Sequence, residues 1–408
     1  MVLELPLLEV GVMFAAIAII GTVAKRFDQS VIPFYIITGM ILGPFIFGSL
    51  GLPFVGSSEE VYHFIGIGAE LGIAFLLFFL GLEFSFSHFF KNKKKIGKAG
   101  TIDLLNLALG FVIGYLFFQD LIAAILIGGI VYISSSAIIT KALMDSGWIA
   151  EDEAEPMLGI LVYEDFFIAL YLLIISSILL TGSGIGIGLD IPIMPILAAI
   201  GFIIVLLIGI HYGSGFFESV LNVKSSETFV LRIVGLTMVI VGVAVAVGVS
   251  EAVAALFVGM AFSSTGYTES IEQILSPLRD IFAAIFFFWI GMNTNPVLIL
   301  GVLPLLIILI ITTAPFKFIT AFKGGRIYGL DYKRSTRVGL GMITRGEFSL
   351  VIATIAAGAT GVFATKAITE IIPAFAVVYV LIMSILGTVL MKYSKPFENL
   401  MERYKEGD

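Results

Sequence analysis

Residues 129–138 read GIVYISSSAI and residues 339–348 read GLGMITRGEF, two stretches separated by 210 positions. The same offset lays GIAFLLFFLGLEF (72–84) over FAAIFFFWIGMNT (282–294), aligning Gly81 with Gly291 and Glu70 with Asp280. Two matches at one offset make an internal repeat a better account than chance similarity between Phe- and Leu-rich segments. The centres of the first pair are SSSA (134–137) and TRGE (344–347). Ser and Thr side chains compete for backbone hydrogen bonds, and glycine weakens a helix. The alternative is two ordinary helices whose hydroxyls bond back to their own carbonyls. Arg345 and Glu347 argue against it, because unbroken lipid-facing helices do not carry such groups.

Composition places the repeat in a membrane. Of 408 residues, 59% are hydrophobic and 13% charged, against about 25% charged in soluble domains. A span needs roughly 20 apolar residues, and the sequence divides into thirteen: about 3–24, 30–50, 64–88, 99–118, 120–144, 154–180, 191–211, 228–248, 250–265, 278–293, 296–322, 336–358 and 368–393. Lys and Arg collect on the cytoplasmic side of a membrane protein. With the N-terminus outside and the C-terminus inside, the inner segments hold 20 of the 23 Lys and Arg. These segments include Lys25-Arg26, KNKKKIGK (91–98), the 323–337 loop and the tail. Lys366 alone falls outside, while Lys317 and Arg345 lie within spans. On this count spans 3 and 10 cross in opposite directions, as do 5 and 12, so spans 1–6 and 8–13 form an inverted-topology repeat with span 7 as linker. Such repeats place substrate near the midplane, where interrupted helices meet. The crossing is then built from Ser134, Ser135, Ser136, Thr344 and Gly346.

Span 6 adds the chemistry. MLGILVYEDFFIALYLLIISSILL (157–180) carries Glu164 and Asp165 side by side, each costing roughly 2.5–3.5 kcal/mol at a bilayer centre. Successive helical residues point about 100° apart, so the two acids divide their labour. One lines an aqueous cavity and the other pairs with a buried cation, for which Lys317 is the candidate. The competing reading of Lys317 is snorkelling to the inner surface, and that of the acids is a structural ion-pair cluster. Two neighbouring carboxylates in a poorly solvated site cannot both ionise cheaply. One that holds either a proton or a dehydrated monovalent cation, with access alternating between the two sides, performs antiport.

Other chemistry finds no support. The chain has no Cys and three scattered His, which argues against thiol catalysis and a His-rich metal site. No phosphate loop or catalytic triad is present, so the protein reads as a transporter and not an enzyme, with no cofactor and no nucleic-acid partner. GSGIGIG (182–188) lacks the strand–loop–helix setting of a dinucleotide site and reads as an external linker. The acidic run EDEAEP (151–156) suits the N-terminus of span 6.

The motifs AELGIAFLLFFLGLEFSF (69–86), ISSSAI (133–138), the acid pair of span 6, PLRDIFAAIFFFWIGM (277–292) and ITRGEFSLVIA (343–353) together resemble the monovalent cation:proton antiporter-2 family, in its Kef/Kht-type branch. The resemblance covers essentially the whole chain. It implies a homodimer in the cell's inner (plasma) membrane with an NhaA-like fold. Its dimer-domain helices would occupy 1–98 and 228–295, its core-domain helices 99–180 and 296–393, with a linker helix in 181–227 and a cytosolic tail at 394–408. The core would move against the dimer domain like an elevator. By motif, Asp165 resembles the cation- and proton-binding acid, and Lys317 matches the basic residue of the core. Arg345 and Glu347 belong to the RGEF motif, where neutralising helix ends is as good an account as transport. Glu164 departs from the Asn, Gln or Asp often found before that acid, which leaves stoichiometry open. Many Kef-type chains continue into a cytosolic nucleotide-binding domain; regulation of this chain, if present, would need a separate cytosolic subunit. The basic 91–98 and 323–337 loops read as topology anchors, with docking of such a subunit the alternative. K+/H+ exchange is the preferred activity and Na+/H+ exchange the near alternative. A cation channel and an organic-anion symporter are the readings from other classes.

Overall fold

The fold was obtained as a computed structural model that describes residues 6–181, 201, 204 and 225–406, apart from positions 28, 84, 85, 146, 247–249 and 264. Apart from residues 201 and 204, the region assigned above to span 7 lies outside the described residues, as does GSGIGIG. Everything regular among the described residues is helical. The elements are α1 (Pro6–Arg26), α2 (Val31–Leu42), α3 (Glu59–Glu83), α4 (Phe86–Asp103), α5 (Leu105–Phe118), α6 (Leu121–Tyr132), α7 (Ser136–Asp145) and α8 (Ala154–Thr181). After the central gap come α9 (Ser226–Ala246), α10 (Glu251–Ser263), α11 (Thr268–Met292) and α12 (Pro296–Tyr328). The chain ends with α13 (Tyr332–Gly341), α14 (Glu347–Ala357), α15 (Ile372–Lys392) and α16 (Lys395–Glu406). Among the described residues nine helical stretches are long and apolar enough to cross a membrane, and three shorter apolar helices accompany them.

Glycines set how closely the helices pack. A Cβ on Gly259 of α10 would lie 1.9 Å from the Phe78 carbonyl oxygen of α3, and one on Gly81 would lie 2.1 Å from that of Leu256. The aligned residue Gly291 of α11 repeats the arrangement: its Cβ would lie 1.9 Å from the Ile36 oxygen of α2, and that of Gly39 2.0 Å from the Phe288 oxygen. Backbone-to-backbone contact through small residues is the usual means of helix association in lipid, where apolar burial supplies little drive. The same contact thus occurs twice, each time between the two halves of the repeat. Gly259→Ala is expected to force α3 and α10 apart and cost about 1–3 kcal/mol, read as a lower melting temperature in detergent. Gly235→Ala, where a Cβ would meet nothing within 4 Å, should cause no loss. Equal melting of the two variants would contradict this packing.

Two differences from the sequence reading stand out. The basic stretch 91–98, read as a connecting loop, is helical and belongs to α4. Lys is a good helix former, and nothing in this stretch stops a helix before it joins the span. The 323–337 loop shrinks to residues 329–331. Gly329 ends α12 with φ of +94°, a conformation glycine adopts freely. The Asp331 carboxylate then caps α13 by accepting from the Arg334 amide at 2.7 Å.

The acidic run before α8 does more than complement a helix dipole. Glu153 is fully buried and accepts from Arg337 at 2.6 Å, while Asp152 pairs with Arg334. Arg337 also holds Glu398 at 3.0 Å, and the Ser394 hydroxyl donates to Glu398 at 2.6 Å. One arginine therefore ties together the entrance of α8, the helix α13 and the terminal helix α16.

Candidate functional site

Both repeat motifs are interrupted helices. Backbone helicity stops at Tyr132 and resumes at Ser136, and it stops again at Gly341 and resumes at Glu347. The two breaks touch: the Ser135 amide donates to the Thr344 carbonyl at 3.3 Å, and the Ser134 hydroxyl donates to the Met342 carbonyl at 3.2 Å. Gly346 is required by proximity, since a Cβ there would lie 2.3 Å from Ser135 Oγ.

Four half-helix ends buried in one place leave carbonyls on one side and N–H groups on the other. Arg345, with no exposed surface, serves the carbonyl ends. Its Nε donates to Val131 O at 2.9 Å, and one Nη donates to Met342, Ile343 and Thr344 oxygens at 3.0–3.1 Å. Glu347 serves the opposite ends. It sits in the first turn of α14, and its carboxylate accepts from the Ser135 and Ser136 hydroxyls at 2.8 and 3.1 Å, at the start of α7. A cation at helix C-termini and an anion at N-termini both complement the macrodipoles. These two charges thus neutralise helix ends.

Beside the crossing lies a second, tighter cluster. The Lys317 ammonium donates to Glu164 Oε1 and Asp103 Oδ2, both at 2.6 Å, and to the Tyr132 carbonyl, an end of α6, at 3.1 Å. It also stands 5.3 Å from the centre of the Tyr132 ring. Lys317, Glu164 and Asp103 are all fully buried. The remaining Glu164 oxygen accepts from the Ser134 amide at 2.6 Å, and Oε1 also takes the Ser134 hydroxyl at 3.0 Å. The remaining Asp103 oxygen accepts from Thr320 and Asn106 side chains, both at 3.2 Å. Helices α4, α8 and α12 are therefore joined to the break after α6 through one ammonium. Snorkelling does not describe this lysine, which is buried and doubly paired.

Asp165, one residue on from Glu164, is partly exposed where Glu164 is sealed. The structure thus brings Ser134, Ser135, Ser136, Thr344, Arg345, Gly346 and Glu347 together, joins Glu164 and Lys317, and leaves Asp165 less buried than Glu164. Sequence reasoning missed Asp103, with its neighbours Asn106 and Thr320. Asp103 lay within the proposed span 4, where an ionisable residue is itself a functional signal. A cavity of about 400 Å3 elsewhere, lined by Trp289, Asn295, Thr354 and Glu370 among others, includes none of the buried charges.

Crossed interrupted helices beside buried acids, within a bundle of apolar spans, define a secondary cation transporter. The chain belongs to the sodium/hydrogen exchanger transmembrane family, whose model matches residues 12–392. It is 35% identical to the K+/H+ antiporter subunit KhtU of Bacillus subtilis over 97% of this chain and 95% of that one. It is 28% identical to the ammonium/H+ antiporter subunit AmhT of Alkalihalophilus pseudofirmus over 96% and 94%. Its fold resembles that of the sodium proton antiporter MjNhaP1 of Methanocaldococcus jannaschii, with a TM-score of 0.68, 17% identity, and coverage of 95% and 96%.

Proposed function

We propose that this protein exchanges K+ for H+ by alternating access, with proton and cation competing for the Asp165 carboxylate. The observation that carries this is the contrast between adjacent acids: Glu164 is sealed in an ion cluster with no exposed surface, while Asp165 is only partly buried. A sealed, paired acid cannot bind and release an ion without rearrangement, and a partly exposed one can. Relatives named for K+ and for ammonium favour a site for a large, weakly hydrated monovalent cation, with Na+ the alternative. The ion is substrate, and no cofactor is invoked. The reading extends to a homodimer of thirteen-span subunits, N-terminus out, in the inner membrane. Spans 4–6 and 11–13 move as a core against the rest, and a separate cytosolic subunit regulates them. The glycine contacts repeated in α2–α11 and α3–α10 support the two-fold repeat behind this motion.

The test is transport in proteoliposomes holding a pH-sensitive dye, with K+, Na+, NH4+ and Li+ added in turn. K+ is expected to drive proton movement at the lowest concentration. Competition also fixes the pH dependence. Protonated Asp165 cannot bind a cation, so below the site's pKa each unit fall in pH raises the apparent KM about tenfold for one shared proton. Above that pKa the affinity levels off, and the rate declines as the return step runs short of protons. A KM constant from about pH 6 to 9, with both sides clamped, would mean that proton and cation use different sites.

A further inference from the structure

The Lys317 ammonium has two carboxylate partners at the same 2.6 Å distance, but they are held differently. Glu164 lies on α8 next to Asp165, so its carboxylate is the second acid available to a cation entering there. Asp103 lies at the α4–α5 junction, where the Asn106 amide donates to the Asp103 carbonyl at 2.7 Å and to its carboxylate at 3.2 Å. The Thr320 hydroxyl, one helical turn beyond Lys317 on α12, reaches the same carboxylate at 3.2 Å. Asn106 Nδ2 also lies 2.9 Å from Thr320 Oγ1, closing a ring of polar contacts between α4–α5 and α12. Asp103 and Lys317 are therefore fastened to each other from both sides. Glu164 is attached to this unit through the ammonium and to the helix break through Ser134.

We propose that Asp103 is a positioning residue for cation transport: it is the permanent counter-ion of Lys317, and it leaves Glu164 able to release the lysine and turn its carboxylate toward a cation bound at Asp165. If Glu164 were the only partner, releasing it would strand a buried ammonium, and breaking such a pair is strongly unfavourable. With Asp103 in place the ammonium keeps a charge-assisted hydrogen bond throughout. Lys317 then stays in position during the exchange, and the cation competes for Glu164 against a lysine already satisfied. This inference rests on Asp165 being the cation site.

Asp103→Asn tests it. Asn keeps the shape and an acceptor oxygen, and it leaves Lys317 and Glu164 as a one-to-one pair, so the fold is expected to survive. Lys317 then has Glu164 as its one charged partner and holds it more tightly. Apparent KM for K+ and for Na+ in proteoliposomes should rise at least about tenfold, with maximal rate within about twofold of the parent. Asp103→Glu, which retains the charge, should recover most of the affinity. An unchanged KM in Asp103→Asn would overturn the proposal. So would a loss of rate and melting temperature together, shared by Asp103→Glu, because that pattern belongs to a residue that only supports the fold. Failure of the site reading shows separately, as exchange that persists in Asp165→Asn.

Discussion

Proteoliposomes carrying Asp165→Asn are expected to show no cation-driven proton movement, while the protein stays folded and assembles as the parent does. Asn matches Asp in size and in most hydrogen bonding, but it cannot hold the negative charge that a proton and a cation neutralise in turn. Asp165 is only partly buried and is not one of the two carboxylates paired with Lys317, so the substitution leaves that ion cluster intact. The effect on transport is expected to be complete because Glu164 and Asp103 are paired to Lys317 with no exposed surface, so that Glu164 reaches a cation only once one is held at Asp165. Dye-reported exchange and size-exclusion profiles check the two halves of this expectation. Retained exchange in the variant would remove Asp165 from the site.

The largest effect on stability should come from Lys317→Ala. The wild-type cluster holds two acids and one ammonium with no exposed surface, and removing the ammonium leaves two buried carboxyl groups without their cation. Breaking a buried pair costs about 3–5 kcal/mol, and the second acid places this case at the upper end. Neutralising one acid should restore part of the loss, and neutralising both more, because uncharged groups of similar shape tolerate burial well. Lys317→Ala, Lys317→Ala with Glu164→Gln, and the triple variant with Asp103→Asn added should therefore melt at successively higher temperatures. Strictly additive losses would show that the three side chains are not energetically coupled. The contrast with Asp103→Asn is instructive, since that change removes the cluster's excess negative charge and leaves a balanced pair.

Much of this molecule was legible in one dimension. Hydropathy and charge sorting revealed a helical membrane protein, because a lipid environment requires every backbone group to be paired within a helix or a closed barrel. The two motifs at one offset located the helix breaks to within a few residues, since Ser, Thr and Gly next to Arg and Glu are incompatible with a continuous lipid-facing helix. Glu164, Asp165 and Lys317 could be singled out by their cost alone. The residues suggested that one of the two acids pairs with Lys317, but not that a third acid, Asp103, shares it. Asp103 and Lys317 are 214 positions apart, and Glu164 and Lys317 are 153 apart, and no periodicity connects them. The tertiary structure decided that Lys317 is shared between two acids, that Arg345 donates to carbonyls at the helix breaks while Glu347 accepts from Ser135 and Ser136, and that Asp165 is less buried than Glu164. The physical reason is that hydrophobicity and helix propensity are properties of a segment, whereas the pairing of a buried charge depends on which other segments reach within about 3 Å of it.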